Sequence, residues 1–340
     1  MNKPIEIFFA TDNNFVQHLC VAIASILKNA NEDDYFNFYI LGNKLKQNDI
    51  KNIENLRKIK DFNLEIIEIN DELFKRCKSP NYINSISTFF RYLIPVLKPE
   101  LDKILYLDCD IVVKKSLKEL YNTNIDNYYL AGVEDIHILC TESKLKPMFA
   151  IDEPYLNAGV LLFNCKMMRD NNFTDKCVEL TNDLNTRCYY GADQDVINII
   201  TQGYKKVIDI KYNVISAIFS PTMICTYSQS SIDNALSNPV IIHFTDRKKP
   251  WNIKYYPQNK FFIEYYRYLK LTPYFNKKIY SKLIFKNNNF RLLFRKLKDN
   301  FFLKVVGSFF DLFITIFLIL ISPINGYKLV RNFKKEVENV

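Results

Sequence analysis

Glycine and tryptophan are scarce: the 340 residues include seven Gly and one Trp. No Gly-rich loop follows the first strand-like run, which argues against a nucleotidyltransferase that cradles phosphates in this way. No repeat period is visible, which argues against a solenoid. The eight cysteines, at positions 20, 77, 109, 140, 165, 177, 188 and 225, form no Cys-x-x-Cys pair and no zinc-ligand spacing. They read as reduced core or surface thiols. The opening stretch Met-Asn-Lys-Pro-Ile-Glu-Ile-Phe-Phe-Ala turns at once to strand-like apolar residues, without a secretory apolar region or cleavage site. A cytosolic body is therefore expected.

What is present suits a folded body with a distinct tail. Hydrophobic residues make up 48% of the chain, enough for a sizeable core in one large domain or two smaller ones. Residues 277–340 carry 13 Lys and Arg against four acids, which accounts for the whole net charge of +9 and leaves residues 1–276 balanced. A nucleic-acid enzyme would carry its basic stripe on the folded body, so no nucleic-acid partner is expected. A basic and apolar terminus instead favours an anionic membrane surface. Residues 301–321 are about long enough to cross ~30 Å of hydrocarbon, but Lys304 and Asp311 weaken a spanning reading and basic residues flank both ends. A segment lying in or dipping into the cytoplasmic leaflet fits better. Acids become scarce after Leu271-Thr272-Pro273. The expected division is thus a catalytic body over 1–271 and a membrane-associating region over 272–340, peripheral on the inner face of the cell membrane.

Strand-like and helix-like runs alternate, which predicts an α/β sheet with crossover helices. Strands are expected over 5–10, 36–41, 64–69, 104–107, 129–133, 159–163, 207–210 and 240–244, and helices over 16–28, 46–58, 87–97, 175–185 and 193–201.

The run Lys-Ile-Leu-Tyr-Leu-Asp-Cys-Asp-Ile-Val-Val-Lys, from Lys103, closes a short apolar segment on two carboxylates, Asp108 and Asp110. Asp-x-Asp at a strand end can hold a hard divalent cation such as manganese or magnesium, with positions left for diphosphate oxygens. Acid pairs there also serve as solvated turns or helix caps. Four further segments stand beside it. Phe9-Ala10-Thr11-Asp12-Asn13-Asn14-Phe15 is a polar turn after the first strand, able to read a uracil ring or simply to cap a helix. Tyr155-Leu156-Asn157-Ala158-Gly159 puts an amide and two small residues before a buried strand, a place where a sugar could approach the backbone, or a plain turn. Gly191-Ala192-Asp193-Gln194-Asp195 opens an apolar helix, where either acid could act only as a cap, although capping explains Gln194 less well. Finally, His243-Phe244-Thr245-Asp246-Arg247-Lys248-Lys249-Pro250-Trp251 joins an imidazole at a strand end to a basic loop. The imidazole suits manganese as a third ligand and a lysine can meet a diphosphate, while a core histidine is the plainer alternative.

Together, in this order, the five segments resemble the retaining glycosyltransferases of family 8, the group of bacterial lipopolysaccharide galactosyl- and glucosyltransferases and glycogenin, across residues 5–270. The resemblance implies the GT-A fold, a Rossmann-like mixed sheet flanked by helices. It also implies a UDP-sugar donor and a glycan or glycolipid acceptor, with galactose slightly favoured over glucose. By the same resemblance Asp108, Asp110 and His243 are the manganese ligands, Ala10, Asp12 and Asn14 hold uridine, Phe15 stacks on uracil, and Lys249 meets the diphosphate. Arg91, Asp135, Asn157, Ala158 and Gln194 grip the donor sugar, with Asp193 beside them.

One residue departs from the family pattern: Asp246 stands where a glycine is usual, and a carboxylate there would repel phosphate unless turned away or paired. The expected chemistry is front-face transfer, because Gln194, at the face where a nucleophile would sit, is a poor one. Gln194 and Asp193 would then stabilise the cationic sugar. A non-catalytic sugar-nucleotide-binding or scaffold protein of the same fold is the alternative.

Overall fold

Three consecutive parallel pairings, two antiparallel ones and a final parallel one build the main sheet, in the order β3-β2-β1-β4-β7-β6-β8. Its strands are β1 (Ile5–Ala10), β2 (Phe36–Gly42), β3 (Asn63–Glu68), β4 (Lys103–Leu107), β6 (Leu130–Glu134), β7 (Leu156–Asn164) and β8 (Lys205–Val207). β3, β2, β1 and β4 run parallel to one another, β7 runs antiparallel to both β4 and β6, and β8 is parallel to β6. A small second sheet has β10 (Ile241–His243) at its centre, antiparallel to β5 (Ile111–Val113) and parallel to β9 (Val214–Ile215). The structure is a computed structural model and describes residues 3–74, 85–136, 153–183, 192–219, 227–245, 249–252 and 261–277.

β1 and β7 are largely apolar and almost wholly buried, as strands covered on both faces require. The helix Val16–Lys28 crosses from β1 to β2 and buries eleven of its thirteen residues. Aromatic side chains fill much of the core: Phe8 stacks on Tyr39 at 4.5 Å and Tyr106 on Phe163 at 6.4 Å. This mixed sheet flanked by helices is the arrangement that the family resemblance implies.

Several expected boundaries move. The expected helix 87–97 is a 3-10 helix, Ile86–Leu93, followed by a short α-turn, Ile94–Leu97. Pro95, lacking an N–H, sits in the first turn of the latter, where that donor is not needed. The expected helix 46–58 divides likewise into Gln47–Glu54 and the 3-10 turn Asn55–Lys58. The strand expected over 207–210 lies earlier, at Lys205–Val207, because Asp209 accepts the Lys211 N–H at 2.9 Å and starts a 3-10 turn, Ile210–Tyr212.

Contacts divide the described residues into two compact units. One runs to Thr245 and includes Leu271–Pro273; the other comprises the described residues between Asp246 and Lys270 and from Tyr274 onward. Within the second, Trp251 packs on Tyr265 at 5.0 Å and the Tyr266 hydroxyl donates to Pro250 O at 2.8 Å. Among the described residues no helix is long and apolar enough to cross a membrane, and residues 301–321 lie outside them.

Candidate active site

Asp108 directly follows β4, and its N–H extends the ladder to Gly159 O at 2.8 Å. The chain bends at Cys109 and Asp110, and the bend brings the Asp108 and Asp110 carboxylates together while Cys109 is buried. The Cys109 thiol donates to Ala10 O at 3.3 Å, tying the acid pair to the end of β1. Burial, then the nearby Asp108 charge, push that thiol well above its ordinary pKa, so it stays protonated.

β10 supplies the third candidate ligand. His243 pairs with Ile111 in the antiparallel ladder, and the Phe244 N–H donates to Asp110 O at 2.9 Å. This register carries His243 Nε2 to 3.2 Å from Asp110 Oδ1 and 3.7 Å from Asp108 Oδ2. The ligand atoms of Asp108, Asp110 and His243 all lie within 4.8 Å of one another. Gly159 makes room for them: a Cβ there would sit 2.2 Å from His243 Cε1 and 2.7 Å from Asp108 Oδ2. Two carboxylates and one imidazole around such a point suit a divalent cation of the manganese or magnesium class.

Behind the acids lies a buried charge cluster. Arg91, on the 3-10 helix, places Nη2 3.0 Å from Asp108 Oδ1 and Nε 3.0 Å from Asp193 Oδ2. Its Nη1 donates to Ala158 O, and its guanidinium lies 4.4 Å from the centre of the Tyr106 ring. Burial opposes the Arg91 charge, but Asp108 and Asp193 more than restore it. Asp193 also accepts from Thr88 Oγ1 at 2.5 Å. Burial lifts its carboxyl to about 6, although Arg91 and Thr88 pull the other way.

The helix Asp193–Ile200 starts from Ala192, held at φ 51° and ψ −114° with no side-chain cap. Neither acid of its first turn therefore caps it. Asp193 serves Arg91 and Thr88, and Asp195 accepts from the Tyr155 hydroxyl. Gln194 bridges two elements: its Oε1 accepts the Ala158 N–H at 2.9 Å, and its Nε2 donates to Asp135 Oδ2 at 2.9 Å and Tyr155 Oη at 3.2 Å. Asn157 Nδ2 donates to the same Asp135 oxygen at 2.9 Å.

The fold thus brings Arg91, Asp135, Asn157, Ala158, Asp193 and Gln194 together beside Asp108, Asp110 and His243. β7 starts earlier than expected, so Leu156, Asn157 and Ala158 join Gly159 as strand residues, and the imidazole occupies the space that the missing side chain of Gly159 leaves open. At the end of β1, Asp12 Oδ1 accepts the Asn14 N–H at 2.8 Å, and the Phe15 ring is 37% exposed, edge-on to His18 at 5.2 Å. Lys249 belongs to the second unit, where its carbonyl accepts the Asn252 N–H at 2.9 Å. Asp246, Arg247 and Lys248 lie outside the described residues.

The pattern of Glycosyl transferase family 8 matches residues 6–254. The chain belongs to glycosyl transferase family 8. Among its relatives, the lipopolysaccharide 1,2-glucosyltransferase of Escherichia coli K12 is 25% identical over 268 residues, covering 75% of this chain and 77% of the relative. The lipopolysaccharide 1,3-galactosyltransferase of Salmonella typhimurium LT2 is 26% identical over 265 residues, covering 76% and 77%. The galactosyltransferase LgtC, solved in complex with donor and acceptor sugar analogs, superposes with a TM-score of 0.68 at 24% identity over 82% of this chain and 100% of its own. That likeness gives the fold, GT-A, and family membership makes the chain a glycosyltransferase.

Four contributors to this family 8 site gave no signal in sequence: Thr88, Tyr155, Asn213 and the steric role of Gly159. Each acts through a partner far along the chain. Asn213, for example, bonds to Asn157 and His243, across 56 and 30 positions.

Proposed function

We propose that this glycosyltransferase is a retaining, metal-dependent hexosyltransferase that moves galactose or glucose from a UDP-sugar to a hydroxyl of a cell-surface glycan such as lipopolysaccharide. The observation that carries the proposal is the convergence of Asp108, Asp110 and His243 on one point, directly beside the buried Arg91–Asp193 and Gln194–Asp135 groups. Manganese is the favoured cation at the three ligands, and when bound it would supply neutralising charge for the departing diphosphate.

This chain's own residues favour transfer on one face. A double displacement needs an accessible carboxylate close to the anomeric carbon. Asp193 is 4% exposed with its oxygens turned to Arg91 and Thr88, and Gln194 offers an amide already bonded at both ends. The bond from the anomeric carbon to the UDP oxygen therefore breaks as the acceptor oxygen bonds from the same side, and the acceptor's proton passes to the departing diphosphate. In this reading the Gln194 amide and the Asp193 carboxylate stabilise the cationic sugar in between. Phe15, exposed at the start of the helix Val16–Lys28, offers a ring for uracil.

The basic, apolar region 272–340 would hold the enzyme on the inner face of the membrane, near a lipid-linked acceptor. The charge balance supports this, since all of the +9 resides beyond residue 276. Full-length protein should then float with anionic vesicles and not with neutral ones.

The donor test is UDP release from UDP-galactose, UDP-glucose, UDP-N-acetylglucosamine and UDP-glucuronate, with the anomeric configuration of the transferred sugar read by NMR. One hexose donor cleaved, with configuration retained, is expected. Inversion, or UDP binding without cleavage of any donor, would contradict the proposal, and the latter would favour a sugar-nucleotide-binding protein.

A further inference from the structure

Asn213 lies between the 3-10 turn Ile210–Tyr212 and β9, is 1% exposed, and is hydrogen-bonded to two residues of the site. Its Nδ2 donates to Asn157 Oδ1 at 2.8 Å, and its Oδ1 lies 3.0 Å from His243 Nδ1. Asn157 Oδ1 also takes the backbone N–H of Gly159 at 3.0 Å, while Asn157 Nδ2 donates to Asp135.

The direction of every bond in this chain is fixed by its far end. A backbone N–H can only donate, so the Asn157 atom facing Gly159 is the oxygen. Its amide nitrogen then faces Asp135, a carboxylate that accepts. The Asn213 atom facing the Asn157 oxygen must be a donor, hence its nitrogen, which leaves the Asn213 oxygen toward His243. An amide oxygen cannot donate, so the hydrogen in that contact sits on His243 Nδ1. The other ring nitrogen, Nε2, is the one 3.2 Å from Asp110.

We infer that Asn213 is a positioning residue that fixes the His243 tautomer, holding hydrogen on Nδ1 so that the Nε2 lone pair faces Asp108 and Asp110 and can take a divalent cation. Hydrogen bonds of this kind to a ligand's second nitrogen set ring orientation and raise metal affinity. The same chain runs on through Asp135 to Gln194, so the metal ligand and the sugar-facing amide share one buried network. The inference rests on the metal reading of Asp108, Asp110 and His243.

Two measurements on full-length protein test it. The first is 15N-histidine NMR of wild type loaded with diamagnetic Cd2+, in which His243 is one of three histidines and is identified by its loss in His243→Asn. Hydrogen on Nδ1 with metal on Nε2 is expected; metal on Nδ1 would overturn the inference without recourse to any Asn213 variant. The second is Mn2+ titration followed by the EPR signal of free Mn2+. Asn213→Leu, which has no acceptor, should raise Kd about 10- to 100-fold, whereas Asn213→Asp, which keeps an oxygen for Nδ1–H, should stay within about threefold of wild type. Equal losses in both variants would indicate packing alone and overturn the inference, as would wild-type affinity in Asn213→Leu. Wild type that fails to bind Mn2+ would defeat the metal reading itself and the inference with it.

Discussion

Gly159 and His243 are in direct steric register: a Cβ on residue 159 would lie 2.2 Å from the imidazole Cε1. No real Cβ contact is that short, and the same Cβ would meet Asp108 Oδ2 at 2.7 Å, so Gly159→Ala must displace two of the three candidate ligands together. The expected outcome is a Kd for Mn2+ raised by about tenfold or more. Unchanged Mn2+ binding in a titration of this variant would mean that the space over Gly159 is not needed by the site.

Arg91 is the buried cation shared by Asp108 and Asp193, and removing it leaves both acids without their main counter-charge. Breaking a buried pair from one side costs roughly 3–5 kcal/mol. Arg91→Ala should lose stability on that order in urea unfolding. Arg91→Lys should recover only part of it, because one ammonium cannot reach Asp108, Asp193 and Ala158 O at once.

Asp193 gives the fold a pH signature. Its carboxyl is raised to about 6 in the folded protein from an ordinary 3.8, chiefly by burial, so the folded state binds this proton more tightly than the unfolded chain does. Its contribution to stability is therefore fully present below about pH 4 and is lost as pH rises through about 6. Asp193→Asn carries no such titration. Its melting temperature, measured relative to wild type, should shift upward between pH 4 and pH 7, and a difference that stays flat across this range would contradict the assignment.

Long, strongly apolar elements were legible in sequence, whereas short and packing-defined ones were not. β1 and the helix Val16–Lys28 match expectation residue for residue, because largely apolar runs of six and thirteen residues bounded by polar turns are separated into strand and helix by their length. β5 and β9, three and two residues long, carry no period of their own and exist because β10 pairs with them. The site divides in the same way. Asp108 and Asp110 stand out because both lie in one short motif, and His243 because a basic loop follows it. Asn213 and Thr88 have no local signature, since their roles arise only when β9 meets β10 and the 3-10 helix meets Asp193.

Gln194 separates binding from chemistry. Its amide spans the Ala158 N–H and Asp135 and makes no direct contact with Asp108, Asp110 or His243 among its hydrogen bonds. Gln194→Ala should lower kcat by about 10- to 100-fold while leaving the Kd for UDP nearly unchanged. A loss confined to UDP affinity, measured by calorimetry beside the turnover assay, would move Gln194 from the sugar to the nucleotide.

The most direct test of the account is UDP release from the preferred UDP-hexose by wild type and by Asp110→Ala, each with Mn2+ and with chelator. Wild type should release UDP only with the metal present, and Asp110→Ala should release none while keeping the wild-type fold by circular dichroism. Undiminished, chelator-resistant release by a folded Asp110→Ala protein would contradict the central claim that Asp108, Asp110 and His243 form the working metal site.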